Sequence, residues 1–118
     1  MNFTFDFDIE SSIGIISLSG DILSKDKDEE LIEHVKQRMD KGQLKFILNI
    51  GSVEYINSSG LNLMLKVFTY IRNRGGELVI TQPNKMVADL LKISKLDTIF
   101  NITADNQTAI KQFNELSK

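Results

Sequence analysis

The spacing of apolar residues changes repeatedly along this chain, and those changes constrain its fold more than any other feature. Phe3, Phe5, Phe7 and Ile9 alternate with polar residues, and this period of two is typical of a strand with one buried face. From residue 24 to residue 41 the apolar residues recur at helical spacing instead. The first pattern therefore predicts a strand, and the second predicts an amphipathic helix.

Four further apolar runs predict strands, and the segments between them predict helices with one apolar face. The strand segments are IGIISLSG (13–20), KFILNI (45–50), ELVIT (77–81) and TIFNI (98–102). KFILNI is apolar almost throughout, as expected for a central strand that is covered on both sides or by its neighbours. The segment GSVEYINSS (51–59) follows it and is predicted to be a loop before the next helix.

Local signals mark the ends of several of these elements. Ser11 and Ser12 allow a turn between the first two strands, which are therefore expected to form an antiparallel hairpin. Gly75 and Gly76 end the second helix, and Asp105 can cap the last one. The predicted order is β-β-α-β-α-β-α-β-α, which implies parallel pairing through right-handed crossovers beside one antiparallel element. The sequence thus predicts a single α/β domain over residues 1–118, with helices around a mixed sheet.

The composition excludes several classes of site. The chain of 118 residues has no cysteine and one histidine, His34, so disulfides, thiolate zinc sites and thiol catalysis are excluded. A formal net charge of −2 gives no sign of a nucleic-acid partner. The N-terminus lacks the basic start and apolar core of a secretion signal, and no apolar run approaches the roughly 18 residues of a membrane-spanning helix. We therefore expect a cytoplasmic protein with no membrane insertion, metal or cofactor.

The stretch YINSSGLNLMLKVF (55–68) places small polar residues between a strand and a helix. Asn57, Ser58 and Ser59 are all good N-cap residues, but one helix needs only one cap. Chance placement of small polar residues in a loop and a functional role are equally open explanations for the others. In the functional interpretation, the free N–H groups and positive dipole end of the helix tolerate a phosphoryl group on Ser58 or Ser59. Gly60 would leave the approach open to a large partner such as a kinase.

The same stretch does not fit a catalytic serine. A nucleophile elbow needs glycine two positions before the serine, whereas Ile56 stands there relative to Ser58. The one candidate base, His34, belongs to a separate helix and is better explained as a surface or boundary residue. RNRGGE (72–77) is a helix end rather than a phosphate-binding loop. We therefore expect a protein that is not an enzyme.

A longer pattern carries a family resemblance. The segments FILNIGSVEYINSSGL (46–61), GGEL (75–78) and KISKLDTIFNI (92–102), with LSGDI (18–22) and QTAI (107–110), resemble the STAS domain of bacterial anti-sigma factor antagonists. The combination is specific, although SSGL alone would be weak. The resemblance covers nearly the whole chain, and it implies a mixed sheet with surrounding helices, in agreement with the order of elements derived above.

The resemblance implies a regulatory protein that exchanges partners. In that family the unmodified domain binds an anti-sigma factor that is also a serine kinase, and this frees a sigma factor. The kinase phosphorylates the position that matches Ser58, binding is lost, and a PP2C-type phosphatase restores it. Tyr55 could add a contact, but packing explains it more simply. The partner-binding face implied by the resemblance comprises Asp21, Asn57, Ser58, Ser59, Gly60 and Leu61.

Two positions depart from the family pattern. The usual D-S-S-G is N-S-S-G here, so Asn57 keeps the capping ability but lacks the carboxylate. Lys95 stands where the family often has glycine, at a predicted helix-end turn. The first departure keeps an alternative open, in which the chain is a non-switching STAS subunit of a lipid or anion transporter or of a signalling scaffold.

Overall fold

The computed structural model describes residues 3–22 and 27–116, and these ranges contain five strands and four α-helices. The predicted order is confirmed, with a short 3₁₀ helix added before the last strand. The predicted start of the first helix near residue 24 lies outside the described residues. The elements are β1 (Thr4–Glu10), β2 (Ile13–Ile22), α1 (Asp28–Asp40), β3 (Lys45–Ile56), α2 (Ser58–Asn73), β4 (Glu77–Thr81), α3 (Lys85–Ile93), the 3₁₀ helix (Leu96–Thr98), β5 (Asn101–Thr103) and α4 (Asn106–Leu116).

The strands form one sheet in the order β1-β2-β3-β4-β5, which is also their order in the chain. β1 pairs antiparallel with β2, and the other pairs are parallel. The predicted hairpin and mixed sheet are therefore confirmed, and KFILNI belongs to the central strand β3. Ser11 and Ser12 have φ angles of 53° and 67° and form the two-residue turn between β1 and β2.

Helices cover both faces of the sheet, and the apolar core has two parts accordingly. Phe46 and Leu48 of β3 belong to the larger part, which also contains buried residues of α1, α2 and α3. Ile47 lies between them in the chain and belongs to the smaller part, with Ala109 and Phe113 of α4. Because successive strand residues point to opposite faces, α1, α2 and α3 pack on one face and α4 packs on the other. This two-sided cover explains why KFILNI is apolar at almost every position.

β3 is longer than the sequence pattern indicated, and the prediction of a loop over GSVEYINSS is wrong. The strand continues to Ile56, so Asn57 alone separates it from α2. β2 extends alongside it and places Asp21 opposite Tyr55. This pairing contains two register shifts. Such irregularities interrupt the alternation by which a strand is detected in a sequence.

β5 begins later than the sequence pattern indicated. The pattern places a strand at TIFNI (98–102), whereas β5 covers Asn101–Thr103 and Thr98 lies in the 3₁₀ helix. The backbone N–H of Phe100 donates to the carbonyl of Leu96 at 2.9 Å. This local hydrogen bond belongs to a turn and replaces a sheet hydrogen bond, which shortens the strand.

Candidate functional site

Asn57 is the residue that caps α2. Its backbone is extended, with φ of −114° and ψ of −163°, and its side-chain oxygen accepts hydrogen bonds from the backbone N–H groups of Ser59 at 2.9 Å and Gly60 at 3.4 Å. Its carbonyl accepts the first helical bond, from the N–H of Leu61 at 3.1 Å. One of the three N-cap candidates is thereby used, and neither serine is needed for the cap.

Ser58 is the first residue of α2 and is exposed, whereas Ser59 is half-buried. Within the described ranges, no hydrogen bond engages the Ser58 hydroxyl. Another protein can therefore reach this oxygen without breaking an internal contact. Of the two serines that the sequence left open, Ser58 is the better placed for modification.

The electrostatics at this end of α2 favour a negative charge. The first turn of α2 contains no acidic residue, whereas the first turn of α1 contains Asp28, Glu29 and Glu30. Carboxylates of its own first turn thus compensate the positive end of the α1 dipole, whereas the first turn of α2 supplies none. A dianion on Ser58 would lie at a helix end that stabilises it.

Asp21 and Tyr55 lie beside each other at the same end of the sheet as Ser58. They face each other on β2 and β3, and the N–H of Asn57 donates to the carbonyl of Ile22 at 3.4 Å. Asp21 is half-buried, and Tyr55 is 49% exposed. The structure thus brings Asp21 to the serine junction, and the exposure of Tyr55 makes it a candidate contact rather than a packing residue. The sequence does carry a signal for this contact, namely an aromatic residue two positions before the N-S-S-G motif, since aromatic side chains are enriched at protein interfaces.

Gly60 faces the interior, so the interpretation that it leaves an open approach for a kinase is wrong. The residue is buried, and a Cβ atom there would lie 2.7 Å from the Cβ of Ile56 and 3.0 Å from the carbonyl oxygen of Ile22. Leu61 is half-buried and packs against the larger core. Gly60 therefore allows α2 to begin close against the ends of β2 and β3, which fixes where Ser58 is presented.

The remaining candidates for chemistry do not join this site. His34 lies on α1, and its ring centroid is 5.3 Å from those of Phe5 and Phe7, as expected for a boundary residue. No group of three or more His, Cys, Asp or Glu side chains that could hold a metal ion occurs within residues 3–22 and 27–116. Over the same ranges, no helix combines the length and apolar character needed to cross a membrane. What the site offers is an accessible hydroxyl at a capped helix end.

The sequence is similar to those of known proteins. Residues 4–109 match the family model of the STAS domain. The chain is 31% identical over 85 residues to BtrV of Bordetella bronchiseptica, provisionally named an anti-sigma factor antagonist, and the match covers 72% of this chain and 73% of BtrV. It is 25% identical over 122 residues to an anti-sigma F factor antagonist of Paenibacillus polymyxa, across 99% of this chain and 100% of that protein.

The fold is similar to that of the anti-sigma factor antagonist SpoIIAA of Bacillus in two solved forms. The unphosphorylated form matches with a TM-score of 0.77 and 18% identity, over 95% of this chain and 97% of that one. The phosphorylated form matches with a TM-score of 0.70 and 18% identity, over 93% and 99%. At this level of identity the likeness concerns the fold alone.

Proposed function

Because the chain belongs to the STAS domain family, we propose that it is an anti-sigma factor antagonist whose binding is controlled by phosphorylation of Ser58. The partner is an anti-sigma factor that is also a serine kinase, and binding to it releases a sigma factor. A PP2C-type phosphatase reverses the modification. Two relatives named as anti-sigma factor antagonists support this proposal. In this role the chain is a regulatory protein of the cytoplasm rather than an enzyme.

The single observation that carries the proposal is the position of Ser58. Its side chain is exposed at the positive end of α2, whose first turn contains no acidic residue, and Asn57 caps the helix in its place. Phosphorylation adds about −1.5 to −2 charges at neutral pH. Because the helix end accommodates that charge, the modification changes the surface while the fold persists. SpoIIAA, which has been solved in phosphorylated and unphosphorylated forms, offers a parallel for such a change.

The loss of binding follows from desolvation. In this proposal the partner contacts Ser58 together with the exposed side of Asn57, Ser59, Asp21 and Tyr55. The partner surface fits the neutral hydroxyl of Ser58. Once Ser58 is phosphorylated, binding of the same surface requires desolvation of a dianion, which costs free energy. A penalty of about 3 kcal/mol weakens binding more than a hundredfold, since about 1.4 kcal/mol corresponds to tenfold. Gly60 and Leu61 support this face from behind and need not touch the partner.

Phosphorylation by the anti-sigma factor kinase that the chain binds in this proposal provides the test. We expect mass spectrometry to find one added phosphate in the parent and in Ser59→Ala, and none in Ser58→Ala. Ser59→Ala is a matched control because it removes the neighbouring hydroxyl from the same helix turn. The phosphorylated parent should no longer bind the kinase in a pull-down, and a PP2C-type phosphatase should restore binding.

Asn57 supplies a specific reason to consider a second function. It leaves no carboxylate beside Ser58, where the family usually has aspartate. If the kinase requires that carboxylate, the parent remains unmodified and Asn57→Asp becomes a substrate. A parent that is never phosphorylated, but still binds its partner, would point to the non-switching subunit of a transporter or scaffold.

A further inference from the structure

Among the described strands, β1 is one of the two edge strands of the sheet, and a groove runs between its outer edge and α1. Among the described strands, only β2 pairs with β1, so the second edge of β1 has no strand partner. We call the space between this edge and the flank of α1 the edge groove. It is bounded by Phe5, Phe7 and Ile9 of β1 and by His34 and Arg38 of α1.

The hairpin geometry determines which backbone groups of β1 point into the edge groove. The turn at Ser11 and Ser12 has two residues, so the flanking pair Glu10 and Ile13 exchanges hydrogen bonds. Along an antiparallel strand such pairs alternate with pairs that do not exchange hydrogen bonds. The even-numbered residues of β1 therefore bond to β2, and the odd-numbered residues direct their N–H and C=O groups outward.

Two hydrogen bonds at the ends of β1 agree with this alternation. The carbonyl of Phe3 accepts from the Lys27 side chain at 2.6 Å, and the N–H of Ile9 donates to the Asp8 carboxylate at 2.8 Å. Both backbone groups belong to odd-numbered residues, and neither bonds to β2. Between these two ends, no other described residue bonds to the backbone groups of Phe5 and Phe7, so these groups can pair with an added strand.

The edge groove has room for the side chains of such a strand. Two cavities of about 440 Å³ and 310 Å³ follow one another along β1, and Arg38 lines both. Phe5 and Phe7 are half-buried, and Ile9 is 51% exposed. Apolar side chains from an added strand would cover these three residues and gain buried surface. The combination of a free strand edge and an adjoining helix is one recurring way in which domains bind extended peptides.

The opposite face of β1 is acidic. Asp6, Asp8 and Glu10 are exposed, and within the described residues none of them forms an ion pair. In a strand added to β1, every second side chain would lie beside these carboxylates, where lysine or arginine is favoured. A second copy of β1 in that place would bring like charges together, which disfavours self-pairing.

We propose that the edge groove binds an extended segment of a partner protein in which apolar residues alternate with lysine or arginine. The segment adds to the sheet beside β1, with its apolar side chains on Phe5, Phe7 and His34 and its basic side chains on the acidic row. This interface goes beyond the proposed function and does not depend on it. None of the residues at the Ser58 site lines the groove.

A designed peptide tests this proposal with the full chain. The probe is an acetylated and amidated peptide of seven residues in which valine alternates with lysine. A peptide of the same composition, with its valines grouped before its lysines, keeps the charge but loses the alternation. We expect the alternating peptide to bind, to shift the NMR signals of the Phe5 and Phe7 amides and to slow their hydrogen exchange. The grouped peptide should bind about tenfold more weakly or not at all.

Charge reversal provides the matched control on the protein side. Asp6→Lys with Asp8→Lys should weaken binding of the alternating peptide by about tenfold, because two cross-strand attractions become repulsions. Asp97→Lys with Glu115→Lys changes the net charge equally at exposed positions elsewhere and should change binding by less than about twofold. Equal weakening by both double variants, absence of binding, or unchanged Phe5 and Phe7 amides would overturn the proposal. Self-association of the free chain through β1 would overturn it as well.

Discussion

Asn57 caps α2, and the neighbouring Ser58 presents its hydroxyl at the surface. The Asn57 oxygen takes the N–H groups that a capping serine would otherwise take, so the Ser58 hydroxyl is not required by the helix. In the sequence Asn57, Ser58 and Ser59 are equivalent N-cap candidates. Only the backbone conformation decides among them, since the cap must be the last extended residue before the helix. The identity of the exposed serine therefore could not be read from residue types.

Substitution of Gly60 tests whether this residue has a packing role. In an unobstructed helix, glycine to alanine stabilises by about 1 kcal/mol. At Gly60 the added Cβ would lie 2.7 Å from the Cβ of Ile56. We therefore expect Gly60→Ala to lower the free energy of unfolding by about 1–3 kcal/mol in urea denaturation. Asn62→Ala, at an exposed position of the same helix, should instead raise it by about 0.5 kcal/mol. A stabilised Gly60→Ala would mean that α2 does not approach β3 this closely.

The turn after α3 contains a lysine in a conformation that glycine prefers. Lys95 has φ of 63° and ψ of 16°, which confirms the helix-end turn predicted there. A left-handed conformation costs a non-glycine residue about 1–2 kcal/mol, and glycine would avoid this cost. Part of the gain in stability is lost again, because glycine also gives the unfolded chain more conformational freedom. We expect Lys95→Gly to raise the free energy of unfolding by about 0.5–1 kcal/mol. Lys92→Gly, within α3, should lower it by about 1 kcal/mol. Destabilisation by both variants would contradict this account.

The start of α4 should respond to acid. The backbone N–H of Thr108 and then its hydroxyl donate to the Asp105 carboxylate, which lowers the pKa of Asp105 below its ordinary value of 3.8. A carboxyl with a lowered folded pKa contributes stability above its unfolded pKa and loses it as the pH falls through the folded pKa. Asp105→Asn keeps an acceptor oxygen but does not titrate. The stability difference between parent and variant, measured by urea unfolding, should therefore shrink as the pH falls from about 6 to 2. A difference that is constant with pH would exclude this role.

Elements with one clear period could be predicted from the sequence, and elements whose pattern is interrupted could not. ELVIT and the helix after Ser58 match β4 and α2 closely because each keeps its period to its end. The second half of β3 does not keep a period of two. Its pairing with β2 shifts register, and residues 53–56 are in turn buried, exposed, exposed and buried. The length of β3 depends on β2 continuing beside it. That is a tertiary contact, and local periodicity does not contain it.

For the whole molecule, the proposed function predicts a change in binding without a change in fold. Ser58→Asp adds a negative charge at an exposed position, next to the N–H groups of the first turn. We expect it to weaken binding of the anti-sigma partner more than about a hundredfold, while the midpoint of thermal unfolding stays within a few degrees of the parent. Thr69→Asp adds the same charge at an exposed position in the C-terminal half of α2 and should leave binding almost intact.

Calorimetric titration and thermal melts of the three proteins separate the possible outcomes. Tight binding by Ser58→Asp would show that charge at this site is not the control. An unfolded Ser58→Asp would instead assign the serine a structural role.

The family and the order of elements could be predicted from the sequence, because motifs and periods extend along the chain. The inward face of Gly60 and the exposure of Tyr55 could not, because both depend on how β2, β3 and α2 meet.

Each strand after β1 in the described part of the chain lies beside the strand that precedes it, and none there is inserted between two earlier ones. As the chain folds, we expect the sheet to widen in one direction, each new strand joining the edge most recently formed. Pairs already made never have to separate to admit a later strand. Closing the loop between consecutive strands costs less entropy than pairing strands that are far apart in the chain, so this strand order favours faster folding than a parallel sheet of the same size with inserted strands.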